Sequence, residues 1–177
     1  MSRQRFTRTM LVLLAIGMTG LSACRDTGGE GGLFEVAGRL FVFNYRVATV
    51  HSLVNLTPLQ PMREGDVAVA TFENPAGGDP LVVREKIWPQ NTKLTIESPP
   101  LECVVKDRPY AVTIRIEGAD GTVRQTIETT VTSSQDQSML PDRPLVVGPM
   151  YTANPDLAGH PDGRLPGGRG VDCPKAS

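Results

Sequence analysis

The chain has 177 residues and a formal net charge of −1, with 40% hydrophobic, 5% aromatic and 21% charged residues. This balance excludes a strongly basic nucleic-acid-binding domain, and no DNA- or RNA-reading motif occurs in the sequence. A chain of this length usually forms one domain and buries roughly two-thirds of the surface that it exposes when unfolded.

Residues 1–23 have the pattern of a bacterial secretory signal peptide. Three arginines precede an apolar run from Met10 to Leu21, which is too short to span a membrane as a helix. The Leu-Ser-Ala-Cys segment that follows ends at Cys24 and resembles the lipobox of bacterial lipoproteins. This resemblance implies that the Cys24 thiol carries a lipid with fatty acyl chains such as palmitate. The alternative is ordinary secretion with a coincidental cysteine.

Cleavage before Cys24 would leave a mature chain of 154 residues. The signal peptide takes three arginines and no acidic residue with it, so the net charge changes from −1 to −4. Residues 24–32 are then the lipid anchor and a flexible, glycine-rich spacer. Arg25, where an Asp would favour retention at the inner membrane, points to the outer membrane. We therefore expect a lipid-anchored envelope protein that faces the periplasm.

In the rest of the chain, apolar and polar residues alternate between turn-forming residues, as is typical of short strands. A helical turn is expected only near residues 135–140, and Asp120-Gly121 marks a hairpin turn. The predicted strands are Glu35 to Tyr45, Val47 to Thr57, Val67 to Phe72, Leu81 to Ile87, Thr92 to Glu97, Tyr110 to Ile116, Val123 to Val131 and Leu145 to Val147.

Seven or eight short strands predict an all-β fold, a single immunoglobulin-like β-sandwich of antiparallel strands over residues 33–150. A small β-barrel is the alternative. Residues 151–177 are rich in proline and glycine and are predicted to form an extended C-terminal tail.

With Cys24 acylated, Cys103 and Cys173 remain as an even pair in an oxidising compartment. A disulfide bond between them would close a loop of about 70 residues and contribute roughly 4 kcal/mol on the chain-entropy model. It would also pin the tail to the domain. Two free thiols are the competing interpretation.

No pattern of catalytic residues stands out, and we expect a protein that is not an enzyme and has no cofactor or metal. The two histidines, His51 and His160, fall in a strand and in a proline-rich turn, and no close pair of cysteine or histidine ligands occurs. The acidic residues Glu97 and Glu102 flank a Pro-Pro loop. An envelope hydrolase that uses His51 or these acidic residues remains the alternative.

Binding residues are easier to suggest than catalytic ones. Trp88, the only tryptophan, is either a core residue or an exposed anchor for a partner. Edge strands accept an added strand, and prolines near strand ends are typical of edges. By this criterion the predicted edges are the strands that contain Val83 and Val146.

The layout from about Val36 to Gly148 resembles the YbaY/YscW family of small bacterial lipoproteins, which includes type III secretion pilotins. The segments that carry the resemblance are Val36-x-Gly38-x-Leu40, Pro61-Met62-Arg63-Glu64-Gly65-Asp66-Val67-x-Val69, Pro99-Pro100-Leu101-Glu102-Cys103-Val104 and Tyr110-Ala111-Val112-x-Ile114-x-Ile116 with Asp120-Gly121-x-Val123. The resemblance implies an envelope interaction protein and carries over no catalytic residue.

The expected function is therefore a non-enzymatic, lipid-anchored protein that binds or helps to assemble another envelope protein, in the manner of a pilotin or a chaperone. Its expected partners are the membrane, through the lipid, and an envelope protein, but no nucleic acid. A binder of a small ligand at the mouth of the sandwich is a further alternative.

The lipid anchor can be tested at Cys24. The Cys24→Ser variant lacks the thiol that accepts the lipid, so we expect the lipoprotein-specific signal peptidase to leave it as the precursor. Mass spectrometry of the mature wild-type chain should find a lipid-modified Cys24 as its first residue. An unmodified first residue at any other position would contradict the anchor.

Overall fold

The computed structural model describes residues 32–174. The predicted signal peptide and Cys24 lie outside the described residues. Over this range, no helix is long and apolar enough to cross a membrane.

The described chain is built almost entirely from β-strands. In chain order these are β1 (Phe34–Asn44), β2 (Thr49–Pro58), β3 (Val67–Phe72), β4 (Leu81–Lys86), β5 (Leu94–Glu97), β6 (Pro109–Glu117), β7 (Val123–Thr132), β8 (Val146–Val147) and β9 (Thr152–Ala153). Two short 3-10 helices, Gln137–Met139 and Pro155–Leu157, complete the secondary structure of residues 32–174.

Seven of these strands form two antiparallel sheets that pack face to face. The first sheet has the order β1-β2-β5, and the second has the order β4-β3-β6-β7. The chain thus crosses between the sheets after β2, β4 and β5, as in Greek-key sandwiches. This arrangement confirms the all-β sandwich and not the closed barrel.

The core lies between the two sheets because inward-facing residues alternate with outward-facing ones. In β6, for example, Val112, Ile114 and Ile116 are buried at 2% exposure or less, while Thr113 and Arg115 between them are partly exposed on the outer face. Phe34 of β1 and Leu56 of β2 fill the facing side of the same cluster. This period of two is the signal that made the strands predictable.

One open side of the sandwich, between the edge strands β1 and β7, is bridged by side chains. The side chain of Gln125 in β7 accepts hydrogen bonds from the backbone N–H groups of Leu33 and Phe34 at 2.8 and 2.9 Å, and it donates one to the Phe34 carbonyl at 2.8 Å. Further along, the Arg39 guanidinium donates to the Thr129 hydroxyl at 2.7 Å. Side chains therefore satisfy part of the backbone that edge strands leave unpaired.

Two predicted elements differ from the structure. The second strand begins at Thr49 rather than Val47, because residues 45–48 form the turn and Ala48 has a positive φ of 53°. The predicted strand Leu145 to Val147 does not close the sandwich, since β8 pairs only with β9 in a separate two-stranded ribbon. The predicted helical turn and the hairpin turn at Gly121 are both present.

The Gln125 bridge can be tested by measuring stability. Gln125→Ala leaves three part-buried backbone groups without their partner, so we expect the free energy of unfolding to fall by about 2 kcal/mol. Thr126→Ala, the neighbouring exposed position on the same strand, should cost less than about 1 kcal/mol. Urea unfolding of both variants is the measurement, and equal losses would contradict a specific role for Gln125.

Candidate functional site

The β4 strand is the open edge of the four-stranded sheet, as the flanking prolines indicated. The Ile87 N–H donates to the Asp66 carbonyl at 3.0 Å, which fixes which amides of β4 face β3. Because hydrogen-bonded pairs alternate along an antiparallel ladder, every second amide of the strand points away from the sheet. These outward amides belong to Val82, Arg84 and Lys86.

This register gives Val83 a structural role in place of the predicted role in binding a partner. Its amide faces Ala70 across the β3–β4 ladder, and its side chain packs against the core cluster. Val83 therefore holds β4 to the sheet and does not offer its own backbone to a partner. The amides of its neighbours Val82 and Arg84 point away from β3. The Val82 side chain is 59% exposed, and the Arg84 side chain reaches across the outer face to Glu117 at 3.1 Å.

Trp88 lies just beyond the end of β4 and is 44% exposed. The Lys86 ammonium stands 3.9 Å from the centroid of its ring, within the range of a cation–π contact. Of the two interpretations of Trp88, the structure supports the exposed one and contradicts the buried core residue.

Val146 lies in the ribbon formed by β8 and β9, at the other end of the sandwich. The ribbon is tied to the β1–β2 turn by a hydrogen bond from the Leu145 N–H to the Arg46 carbonyl at 2.8 Å. Its tip carries Met150, which is 82% exposed, and Tyr151, which is 60% exposed beneath the Arg46 guanidinium. The most exposed apolar and aromatic side chains of this ribbon are therefore at its tip rather than at Val146.

Cys103 and Cys173 are joined by a disulfide bond with an S–S distance of 2.00 Å, as the cysteine count predicted. Next to it, the side chain of Gln137 is buried and fully engaged. It accepts from the Val104 N–H at 2.9 Å and donates to the Leu101 carbonyl at 3.0 Å and to Glu102 at 2.8 Å.

Arg169 attaches the tail to the domain next to the disulfide bond. Its guanidinium donates to both carboxylate oxygens of Glu102, at 3.0 and 3.1 Å. It also donates to the carbonyls of Pro141 at 2.6 Å and Ala48 at 3.1 Å. Glu102 is thus the centre of a polar cluster, the Glu102 cluster, that joins Gln137 and Arg169 to the β1–β2 turn.

The predicted C-terminal tail is therefore held to the domain by more than its disulfide bond. Leu157 is buried, and the Asp142 N–H donates to the Gly163 carbonyl at 2.9 Å. A Cβ at Gly163 would lie 2.6 Å from a carbon of Pro141 and 2.7 Å from one of Leu145, so only glycine allows this close approach.

A cavity of about 250 Å³ opens beside the disulfide bond. Its walls come from residues 102–105 and 136–138 and from Arg169, Val171 and Cys173 of the tail. Asp136 caps the 3-10 helix at this wall, and its hydrogen bonds from Ser138 lower the pKa of the Asp136 carboxyl. The charged and amide groups of the Glu102 cluster are already paired, so the cavity offers mainly apolar contact.

Of the candidate catalytic residues, only His51 and Glu97 come together. His51 lies on the outer face of β2, with its Nδ1 3.1 Å from Glu97 and 2.9 Å from the Ser98 carbonyl. Glu102 belongs to the cluster around Arg169, and His160 lies in a turn of the tail. Within residues 32–174 no group of three or more histidine, cysteine or acidic side chains could hold a metal ion.

No family model matches the chain, and no curated protein sequence matches it. Among solved structures, the chain is similar to an endonuclease/exonuclease/phosphatase from Beutenbergia cavernae DSM 12333, with 16% sequence identity and a TM-score of 0.29. The similarity covers 57% of this chain and only 28% of that one. A similarity of this size carries no argument about activity.

The attachment of the tail can be tested by hydrogen exchange. Cys173→Ser should speed exchange only after residue 169, because the hydrogen bonds of the Arg169 guanidinium still hold the rest of the tail. Arg169→Gln should speed exchange at residues 166–170 as well, since Glu102 loses its charged partner, and should cost roughly 1–3 kcal/mol of stability. Exchange measured by mass spectrometry separates the two, and release of the whole tail in Cys173→Ser would contradict the role of Arg169.

Proposed function

We propose that this chain is a non-enzymatic binding module of the bacterial cell envelope that captures an extended segment of another envelope protein as an added strand on β4. The observation that carries the proposal is the open β4 edge, with its outward amides at Val82, Arg84 and Lys86. Main-chain hydrogen bonds from such an edge provide affinity for an incoming strand.

Comparison of the four sheet edges favours β4. The edges of β1 and β7 face each other, and the side chains of Gln125 and Arg39 bridge the gap between them. On the other side of the sandwich, β5 is only four residues long, whereas β4 has six. The β4 edge therefore offers the longest run of outward backbone groups on the open side.

The side chains around this edge suit a selective contact rather than indiscriminate pairing. Val82 offers an exposed apolar side chain near one end of the strand. Arg84 and Lys86 place positive charges on the outer face of the rest, with the exposed Glu85 between them in sequence. Charges on an edge strand discourage pairing with unrelated chains. We expect the captured segment to bring an apolar residue to Val82 and an acidic one to the charged half of β4.

The proposal includes the lipid anchor at Cys24 and a position at the outer membrane facing the periplasm. The signal-peptide pattern and the lipobox-like sequence support the anchor, and the disulfide bond agrees with an oxidising compartment. A pilotin-like or chaperone-like role is the finer form of the proposal and follows from the resemblance to the YbaY/YscW family.

Binding of a small ligand has one observation in its favour, the cavity beside the disulfide bond. Its volume of about 250 Å³ is below the roughly 300–1,000 Å³ that is usual for ligand sites, and its polar groups are already paired with one another. Strand capture therefore remains the better-supported function.

Strand capture can be tested with a matched pair of variants at Arg84. Arg84→Ala and Arg84→Pro both lose the contact with Glu117, but only the proline variant also loses the outward amide. We expect Arg84→Ala to retain the envelope partner and Arg84→Pro to capture roughly tenfold less of it. The measurement is quantitative mass spectrometry of proteins that co-purify from detergent-solubilised envelopes.

Each variant must show a thermal midpoint close to that of the parent before its binding is compared. Val83→Pro serves as the contrast, because loss of an inward donor should cost roughly 1–3 kcal/mol of stability. If folded Arg84→Pro captures the same proteins in the same amounts as Arg84→Ala, strand addition at β4 is wrong.

A further inference from the structure

We infer that one end of the sandwich rests on the phospholipid surface to which Cys24 is anchored. This surface, the entry end, is the end at which the described chain begins at residue 32. It consists of the loops 59–66, 87–93 and 118–122 and the strand residues directly next to them. The inference depends on the lipid anchor of the proposed function but not on strand capture at β4.

Three loops meet at the entry end because β1 and β7 begin there while β2, β4 and β6 end there. The Leu59 N–H donates to the Leu33 carbonyl at 2.9 Å, which places the first loop directly beside the entering chain. A Cβ at Gly65 would lie 2.9 Å from that of Ala119, so the first and third loops are in close contact. The hydrogen bond from Ile87 to Asp66 joins the second loop to the first.

Exposed apolar and cationic side chains share this end. Leu59 is 48% exposed, Trp88 is 44% exposed and Val123 is 53% exposed. The exposed cations are Arg63, Lys86 and Lys93. The exposed acidic residues are Glu64 and Asp120, and the less exposed ones are Asp66 and Glu117. An apolar ring with a polar N–H beside a lysine is the combination favoured where hydrocarbon meets headgroups.

The length of the tether selects this end over the other. Eight residue steps separate Cys24 from Gly32, and a fully extended chain spans at most about 28 Å over them. The opposite end lies about another 30 Å away, since β1 alone has 11 residues. The entry end is therefore the end that a short tether holds nearer the bilayer, and its effective concentration there is high enough for weak contacts to form.

The single tryptophan makes the inference directly measurable, because all tryptophan fluorescence comes from Trp88. The lipidated mature protein is reconstituted into vesicles of phosphatidylethanolamine and phosphatidylglycerol, with and without brominated acyl chains. We expect brominated lipid to quench the emission about twofold, and vesicles to lower quenching by acrylamide by a similar factor relative to detergent.

The matched control moves the tryptophan to the opposite end. In Trp88→Phe combined with Tyr151→Trp, the new ring occupies the exposed tip of the β8–β9 ribbon. Its emission should not respond to brominated lipid and should stay accessible to acrylamide.

Each other outcome overturns the inference. Lipidated protein whose Trp88 is not quenched by brominated lipid shows that the entry end does not touch the bilayer. Protection from acrylamide without lipid quenching shows that a protein surface or a second copy covers Trp88 instead. Equal lipid quenching at both ends contradicts a defined orientation. An unmodified Cys24 in the mass spectrum removes the anchor as well, whereas failure of strand capture at Arg84 leaves the inference intact.

Discussion

The two inner faces of the sheets can be buried only against each other. This packing leaves two pairs of sheet edges whose backbone groups have no neighbouring strand. On one side, Gln125 spans the gap and supplies hydrogen bonds that a neighbouring strand would otherwise make. On the other side, nothing comparable joins β4 to β5 in residues 32–174, and the outward amides of β4 are available. The proposed strand capture at β4 depends on this difference between the two sides.

The second organising feature is the Glu102 cluster, which joins segments that are distant in sequence. Arg169 and Gln137 reach the same carboxylate from 67 and 35 residues away. The cluster and the disulfide bond together turn a chain rich in proline and glycine into a folded covering for one end of the sandwich. At that end the charge-assisted hydrogen bonds of Glu102, which are stronger than neutral ones, therefore add to the apolar burial of Leu101, Val104 and Leu140.

Local patterns were enough to predict the sheets, but not the contacts between distant segments. Alternation in β6 and the Asp120-Gly121 turn are visible in a few residues, and an even cysteine count is sufficient for the disulfide bond. The docking of Arg169 has no such local signal. The direction of the Val83 amide could not be predicted either, because it depends on the register between β3 and β4. Val47 and Ala48 extend the apolar pattern into a turn, so the predicted β2 began at Val47 rather than at Thr49.

The β4 strand runs lengthwise towards the entry end, and this direction affects how two copies of the chain can meet. If Cys24 carries the proposed lipid and the entry end rests on the membrane, all molecules on one leaflet point the same way and their β4 strands are mutually parallel. Antiparallel self-pairing would require one molecule to be turned upside down, and parallel pairing is the less stable alternative. Anchoring in a leaflet would thus disfavour pairing of two copies through β4 without closing the edge, leaving it open to a segment that approaches from the periplasm in the opposite direction.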